Sequence, residues 1–193
     1  IASAMKSEIA IIGCGRIGSV HARAITETLP MVDLVLADVE PSRAIDLANR
    51  VGAHAVDIAD IWDRPNLCAV AICSSTTTHV DYICAAAEAG VAVFCEKPVS
   101  LDLDEVDRAV RAVTDSDIPF MVGFHKRFDP THQATKQAVV DGRVGDVHLL
   151  RITTRDPQPP PLDYISVSGG IFLDMTIHDF DMARFLVDSP VQE

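Results

Sequence analysis

Residues 9–25 read "IAIIGCGRIGSVHARAI". An apolar run passes into Gly13-x-Gly15-x-x-Gly18, and a helix-like stretch follows at once. A GxGxxG alone is weak. Here a strand precedes it, a helix follows it, and Asp38 ends the next strand, twenty positions past Gly18. The glycines then have separate tasks. Gly13 permits a tight turn, Gly15 lets the main chain approach a pyrophosphate, and Gly18 lets the helix pack closely on the strand. The helix N-terminus, with Arg16 and Ile17 in its first turn, offers free N–H groups and a favourable dipole to phosphate. Asp38 would accept hydrogen bonds from ribose hydroxyls and repel a 2′-phosphate. NAD is therefore expected over NADP, with Arg43 close enough to soften the preference.

The flanking sequence repeats the pattern. Apolar runs at 9–13, 34–38, 53–56, 68–73, 91–95 and 120–124 read as strands, unbroken by polar alternation, as in a parallel sheet covered on both faces. Helices are expected at 16–28, 41–51, 77–89 and 102–114. Pro41 suits a first helical turn, and Gly52 and Gly90 suit left-handed caps. Asp102 and Glu105 have capping-box spacing. Strand–helix alternation of this kind predicts a Rossmann-type, doubly wound α/β domain over 1–124.

After residue 125 the character changes. A polar helix at about 130–141 leads to "GDVHLLRITTR", which reads as a strand, and then to a proline-rich connector. Residues 125–193 thus read as the beginning of a second, α+β domain with an open sheet. One strand cannot satisfy its own backbone, so the chain is expected to be part of a longer protein. Met5 reads as its natural start.

Composition narrows the partners. Sixteen basic against 28 acidic residues give a net charge of −12, which disfavours nucleic acid and anionic membrane surfaces. No apolar run of about 18 residues suggests a membrane span, and the N-terminus lacks secretory-signal features. The five cysteines form no CxxC pair and sit mostly in apolar runs. Reduced, buried thiols in a cytoplasmic protein are expected.

Four ordered motifs carry a resemblance. "VAVFCEKPVS" (91–100), "AICSSTTTHVDYICAAAEAG" (71–90), "MVGFHKRFDP" (121–130) and "GGIFLDMTIHDFDMARFL" (169–186) resemble the Gfo/Idh/MocA oxidoreductase family, nearest its inositol dehydrogenase branch. "TTRDPQPPPLDYISVSGG" (153–170) resembles that branch as well. The resemblance implies an NAD-dependent dehydrogenase of a cyclic polyol, most simply myo-inositol oxidised to its 2-keto form. It also implies a homotetramer formed through the second domain's sheet. Ser74, Thr76, His79, Glu96 and Lys97 would lie beside the cofactor, and Lys97, Asp174 and His178 match the branch's catalytic positions. A cis Lys97–Pro98 bond is typical of the family. His125 stands where relatives often carry Asn, which bears on substrate choice.

The residues themselves support that chemistry. Asp174, His178 and Asp181 fall on one face by helical spacing, on a segment otherwise apolar. Such a face is costly to bury unless it lines a site, here expected at the junction of two domains. Alcohol oxidation needs a proton acceptor, and histidine, with an unperturbed pKa of about 6.5, fits a general base. Lysine, at about 10.4, suits a cation that stabilises alkoxide on the same oxygen. Asp174 would bind substrate hydroxyls, Asp181 would support His178 or the helix, and Asp179 would face elsewhere. Arg127 is a candidate substrate contact, or else the partner of Asp129.

Two other classes compete. An Asp-x-x-x-His face can hold a metal, but no second histidine or cysteine joins it at ligand spacing and Lys97 would repel a cation. A nucleotide-binding sensor would tend to lose Lys97 or His178, and both are present. Among enzymes, another inositol isomer or an aldose presents nearly the same ring of hydroxyls.

Overall fold

Six parallel strands form one sheet in the order β3-β2-β1-β4-β5-β6. They are β1 (Glu8–Ile12), β2 (Asp33–Ala37), β3 (His54–Ala55), β4 (Leu67–Ile72), β5 (Ala92–Cys95) and β6 (Phe120–Val122). This computed structural model describes residues 6–165 and 168–192. The expected Met5 start falls outside them.

Helices α1 (Arg16–Thr28), α2 (Pro41–Val51), α3 (Thr76–Glu88) and α4 (Leu103–Asp115) connect the strands. Alternate side chains of the strands feed two separate cores. Ala10, Ile12, Val35, Val70 and Ile72 pack with Val80, Ile83 and Ala86 of α3 and Ala109 and Val113 of α4. Ile11, Leu34, Leu36 and Ala71 pack with Ala22 of α1 and Ala44, Leu47 and Ala48 of α2. Burial on both faces explains why these strands read as continuous apolar runs. Strand order reverses at β1, which has β2 on one side and β4 on the other. In open α/β sheets the crevice at the carboxyl ends of such a pair takes the ligand.

Helix caps follow the local sequence, with one departure. Gly52 ends α2 at φ +74°, a left-handed conformation suited to glycine. At α4 the Asp102 carboxylate accepts from the Asp104 N–H at 2.8 Å. The expected capping box does not close, because Glu105 instead accepts from Arg108 at 2.8 Å. A cation three residues on competes for that carboxylate.

The chain falls into two compact units, Ile1–Gly123 and Phe124–Glu193. In the second, a 3₁₀ turn (His125–Phe128) leads to α5 (Pro130–Val140), and a short α6 (Leu162–Ile165) follows. A π-helical turn (Phe172–Thr176) then runs directly into α7 (Ile177–Val187). The strand expected at 145–155 is not formed: these residues make no strand pairing, and Leu149 is 86% exposed. A strand exists only by pairing, and among the described residues of this unit there is no other strand.

The thiols also depart from expectation in one case. Cys14 and Cys95 are buried, Cys73 and Cys84 partly so, but Cys68 is exposed near the start of β4. Burial pushes the Cys14 and Cys73 thiols up to about 12, with Asp38 adding to the first and Glu96 to the second. Thiols held protonated in this way are poor nucleophiles.

Candidate active site

The glycine loop has three distinct geometries. Gly13 adopts φ +98°, and a Cβ there would lie 2.5 Å from the Ser74 nitrogen and 2.6 Å from the Cys73 carbonyl. A Cβ on Gly18 would collide with the Gly13 carbonyl oxygen. Both glycines are therefore required by packing alone. Gly15 differs: nothing lies within 4 Å of its would-be Cβ. Open space above the loop is what close approach of a dinucleotide backbone needs. Gly15 also caps α1 with no side-chain acceptor, and no acidic residue stands in the first turn, which begins Arg16, Ile17, Gly18. The N–H groups there can donate to phosphate oxygens.

Asp38, at the end of β2, faces the same loop. Its Oδ2 accepts from the Cys14 N–H at 2.7 Å and its Oδ1 from the Glu40 N–H at 2.9 Å. A carboxylate has about four acceptor positions, so these two bonds orient it and leave capacity for ribose hydroxyls. The residues present thus fit a dinucleotide.

Beside the carboxyl ends of β4 and β5 stand the remaining residues expected at the cofactor. Ser74 Oγ bonds Thr78 Oγ1 at 2.8 Å, and Thr76 begins α3. His79 was expected as a cofactor contact, but it is 1% exposed and both ring nitrogens face main-chain oxygens. Nδ1 lies 2.9 Å from the Pro98 carbonyl and Nε2 3.1 Å from that of Ser74. The ring is a strut between two loops, because its polar atoms are already engaged inside the protein. Lys97–Pro98 is a cis peptide. Glu96 is gripped by His21, whose Nε2 lies 2.7 Å from Oε1. Burial alone would raise the Glu96 carboxyl, but His21 and Lys97 outweigh it and hold it below its usual range.

The second unit carries the other candidates. Asp174 lies in the π turn and accepts from Tyr164 Oη at 2.8 Å. His178 lies in the first turn of α7, edge-on to Phe124 (centroids 6.3 Å apart) and to His125 (4.7 Å). π turns are rare and often mark functional sites. This one also breaks the 3.6-residue period between Asp174 and His178, so the even spacing of one helical face does not run through.

Both carboxylates that follow His178 take hydrogen bonds from cations of the 3₁₀ turn. Asp181, 8% exposed, takes three hydrogen bonds from Arg127: Nε to Oδ1 (3.1 Å) and Oδ2 (2.8 Å), and Nη2 to Oδ1 (2.6 Å). The guanidinium also lies over the Phe185 ring, 5.5 Å from its centroid. Arg127 thus pairs with Asp181 on α7 and not with Asp129, which caps α5 through the Thr131 and His132 N–H groups. Asp179 Oδ1 accepts from Lys126 Nζ (2.9 Å) and Thr154 Oγ1 (2.6 Å). Sequence reasoning missed Lys126 and Thr154; their partner lies 25 to 53 residues away, and no local pattern marks it. Among the described residues no group of three or more His, Cys, Asp or Glu could hold a metal.

Residues 7–124 match the family described as "Oxidoreductase family, NAD-binding Rossmann fold" (GFO_IDH_MocA), and residues 132–193 match the "GFO/IDH/MocA C-terminal domain". The chain belongs to the Gfo/Idh/MocA oxidoreductase family. It is 47% identical to a myo-inositol 2-dehydrogenase of Thermotoga maritima, over 96% of this chain and 56% of that protein. With an inositol 2-dehydrogenase of Rhizobium meliloti it shares 46% identity, over 97% and 57%. The chain spans about half the length of the curated relatives it matches. Among solved structures of the family, a myo-inositol dehydrogenase from Corynebacterium glutamicum superposes with TM-score 0.88 at 43% identity, over 96% of this chain and 56% of that one. A scyllo-inositol dehydrogenase from Lactobacillus casei with bound NAD(H) and scyllo-inositol gives 0.86 at 30%, over 95% and 57%.

Proposed function

We propose that this chain belongs to an NAD-dependent dehydrogenase that oxidises a cyclic polyol, myo-inositol first among candidates, to its 2-keto product. Residues 1–124 hold the nucleotide, and 125–193 begin the substrate and oligomerisation domain. When bound, the nicotinamide supplies the hydride acceptor at its C4. The substrate C–H bond breaks as hydride leaves, the hydroxyl proton passes to a ring nitrogen of His178, and the carbon–oxygen bond becomes a carbonyl. Lys97 Nζ donates to the same oxygen and stabilises its developing charge. Asp174 accepts from neighbouring hydroxyls of the ring. Asp38 favours NAD over a 2′-phosphorylated cofactor. The reading extends to a cytoplasmic homotetramer, which light scattering and cell fractionation would check.

One observation carries this reading. Of the four acidic and histidine side chains on 169–186, Asp179 and Asp181 pair with Lys126 and Arg127, and these pairs anchor the helix that bears His178. Similarity to relatives named inositol 2-dehydrogenases supports the substrate class. The test is NAD reduction by the full-length protein on myo-inositol, scyllo-inositol and glucose side by side, with Lys97→Ala and His178→Ala as controls. Turnover highest on an inositol and lost in both variants is the expected result. Turnover on glucose alone, or variants within a few-fold of wild type, would reject it.

A further inference from the structure

His21 sits on α1, the helix whose N-terminus forms the glycine loop, yet its ring reaches the Glu96 carboxylate at the exit of β5. The two side chains are 29% and 20% exposed. His21 Nε2 lies 2.7 Å from Glu96 Oε1, and the His21 ring stands edge-on to Phe94 with centroids 4.9 Å apart. Glu96 also accepts a hydrogen bond from the main chain of Lys97. A third neighbour closes the cage: a Cβ on Gly123 would lie 3.1 Å from Glu96 Oε2 and 3.1 Å from Phe94 Cζ. The Gly123 N–H in turn donates to the Cys95 carbonyl at 2.8 Å. The carboxylate is thus held from three directions, and one of its acceptor positions holds the backbone of Lys97.

We propose that His21 is a positioning residue for Lys97, acting through the Glu96 carboxylate, so that the helix that seats the dinucleotide also fixes the lysine beside it. The proposal rests on the reading of Lys97 as the cation at the reacting oxygen. Opposite Glu96, His79 holds the Pro98 carbonyl at 2.9 Å, so the Lys97–Pro98 segment is gripped at both ends. Removing the His21 ring leaves Glu96 free to turn towards solvent, and the Lys97 backbone loses its fixed acceptor. Displacement of a catalytic group by about 1 Å can reduce turnover about a hundredfold.

The test compares His21→Ala, His21→Gln, Gly123→Ala and Lys97→Ala in the full-length protein. Glutamine can present an amide N–H about where Nε2 stands, so it separates hydrogen bonding from ring packing. The expected result is a kcat on myo-inositol at least about tenfold lower in His21→Ala, with NADH affinity within about threefold of wild type. His21→Gln should recover most of that loss, and Gly123→Ala should reproduce it by crowding the carboxylate. A second readout does not depend on turnover: acylation of the Lys97 amine, followed by mass spectrometry, should change severalfold in His21→Ala and return in His21→Gln. Unchanged kcat and Lys97 labelling in His21→Ala would overturn the proposal, as would a loss that glutamine does not repair. Should His21→Ala fail to fold, the Gln and Gly123→Ala variants decide by the same two readouts. Full activity in Lys97→Ala would overturn the proposed function and this inference together, whereas loss in Lys97→Ala alone overturns only the inference.

Discussion

Arg127 and Asp181, 54 positions apart, are joined by three hydrogen bonds of 2.6 to 3.1 Å. The carboxylate is 7% exposed and the guanidinium 41%, so one partner is buried while the other remains half in water. The 3₁₀ turn after Gly123 is thereby fastened to α7 one turn beyond His178. Asp181 thus holds the helix that carries His178.

Removing that cation strands a buried carboxylate. Arg127→Ala should destabilise the protein by about 2 kcal/mol, the usual penalty for a buried polar group that loses its partner. Arg127→Lys should recover less than half of it, since an ammonium cannot reproduce the paired geometry. Chemical denaturation of the three proteins measures this; equal stability of Arg127→Ala and wild type would contradict it.

The Asp179 carboxyl lies below its ordinary value: burial alone would raise it, but hydrogen bonds from Thr154 and Lys126 prevail. A carboxyl whose folded pKa is depressed stabilises the fold above its unfolded value and loses that contribution as pH falls through the folded one. Lys126→Met should therefore be less stable than wild type by about 1 to 2 kcal/mol at neutral pH. The gap should close as pH drops below about 4, the unfolded aspartate value. Thermal melts across that range would show it.

Gly15 and Gly18 should respond in opposite ways. Gly18→Ala drives a methyl into the Gly13 carbonyl and should abolish stable folding. Gly15→Ala meets no protein atom, so its melting temperature should stay within a few degrees while NAD affinity falls at least about tenfold, the methyl filling the space a pyrophosphate requires. Titration with NADH and a thermal melt separate the two.

Asp38 orders the loop, and in the proposed function it also selects the nucleotide. Asp38→Ser removes the carboxylate that accepts from the Cys14 N–H, so NAD affinity should fall about tenfold. It also removes the charge opposed to a 2′-phosphate, so the NADP-to-NAD affinity ratio should rise. A ratio that stays unchanged would detach Asp38 from cofactor choice.

Much of the fold was legible because its signals are local. Apolar runs of strand length, Pro41 at a helix start and Gly52 at a helix end gave α1 and α2 their observed bounds. The second unit was harder. The 145–155 stretch has strand composition, but strands are made by partners that composition does not reveal. Asp174, His178 and Asp181 obey helical spacing, yet the π turn interrupts the period and Arg127 claims Asp181. His79 and Glu96 lie in recognisable motifs, but which atoms they touch depends on Pro98 and His21, distant in sequence.

The central claim is hydride transfer from a cyclic polyol to nicotinamide. Its most direct test is to offer the full-length protein NAD and myo-inositol carrying deuterium on carbon 2, and to analyse the NADH by mass spectrometry. Deuterium in NADH, absent with His178→Ala, is the predicted result. NADH without deuterium, or none formed although NAD binds, would contradict the account.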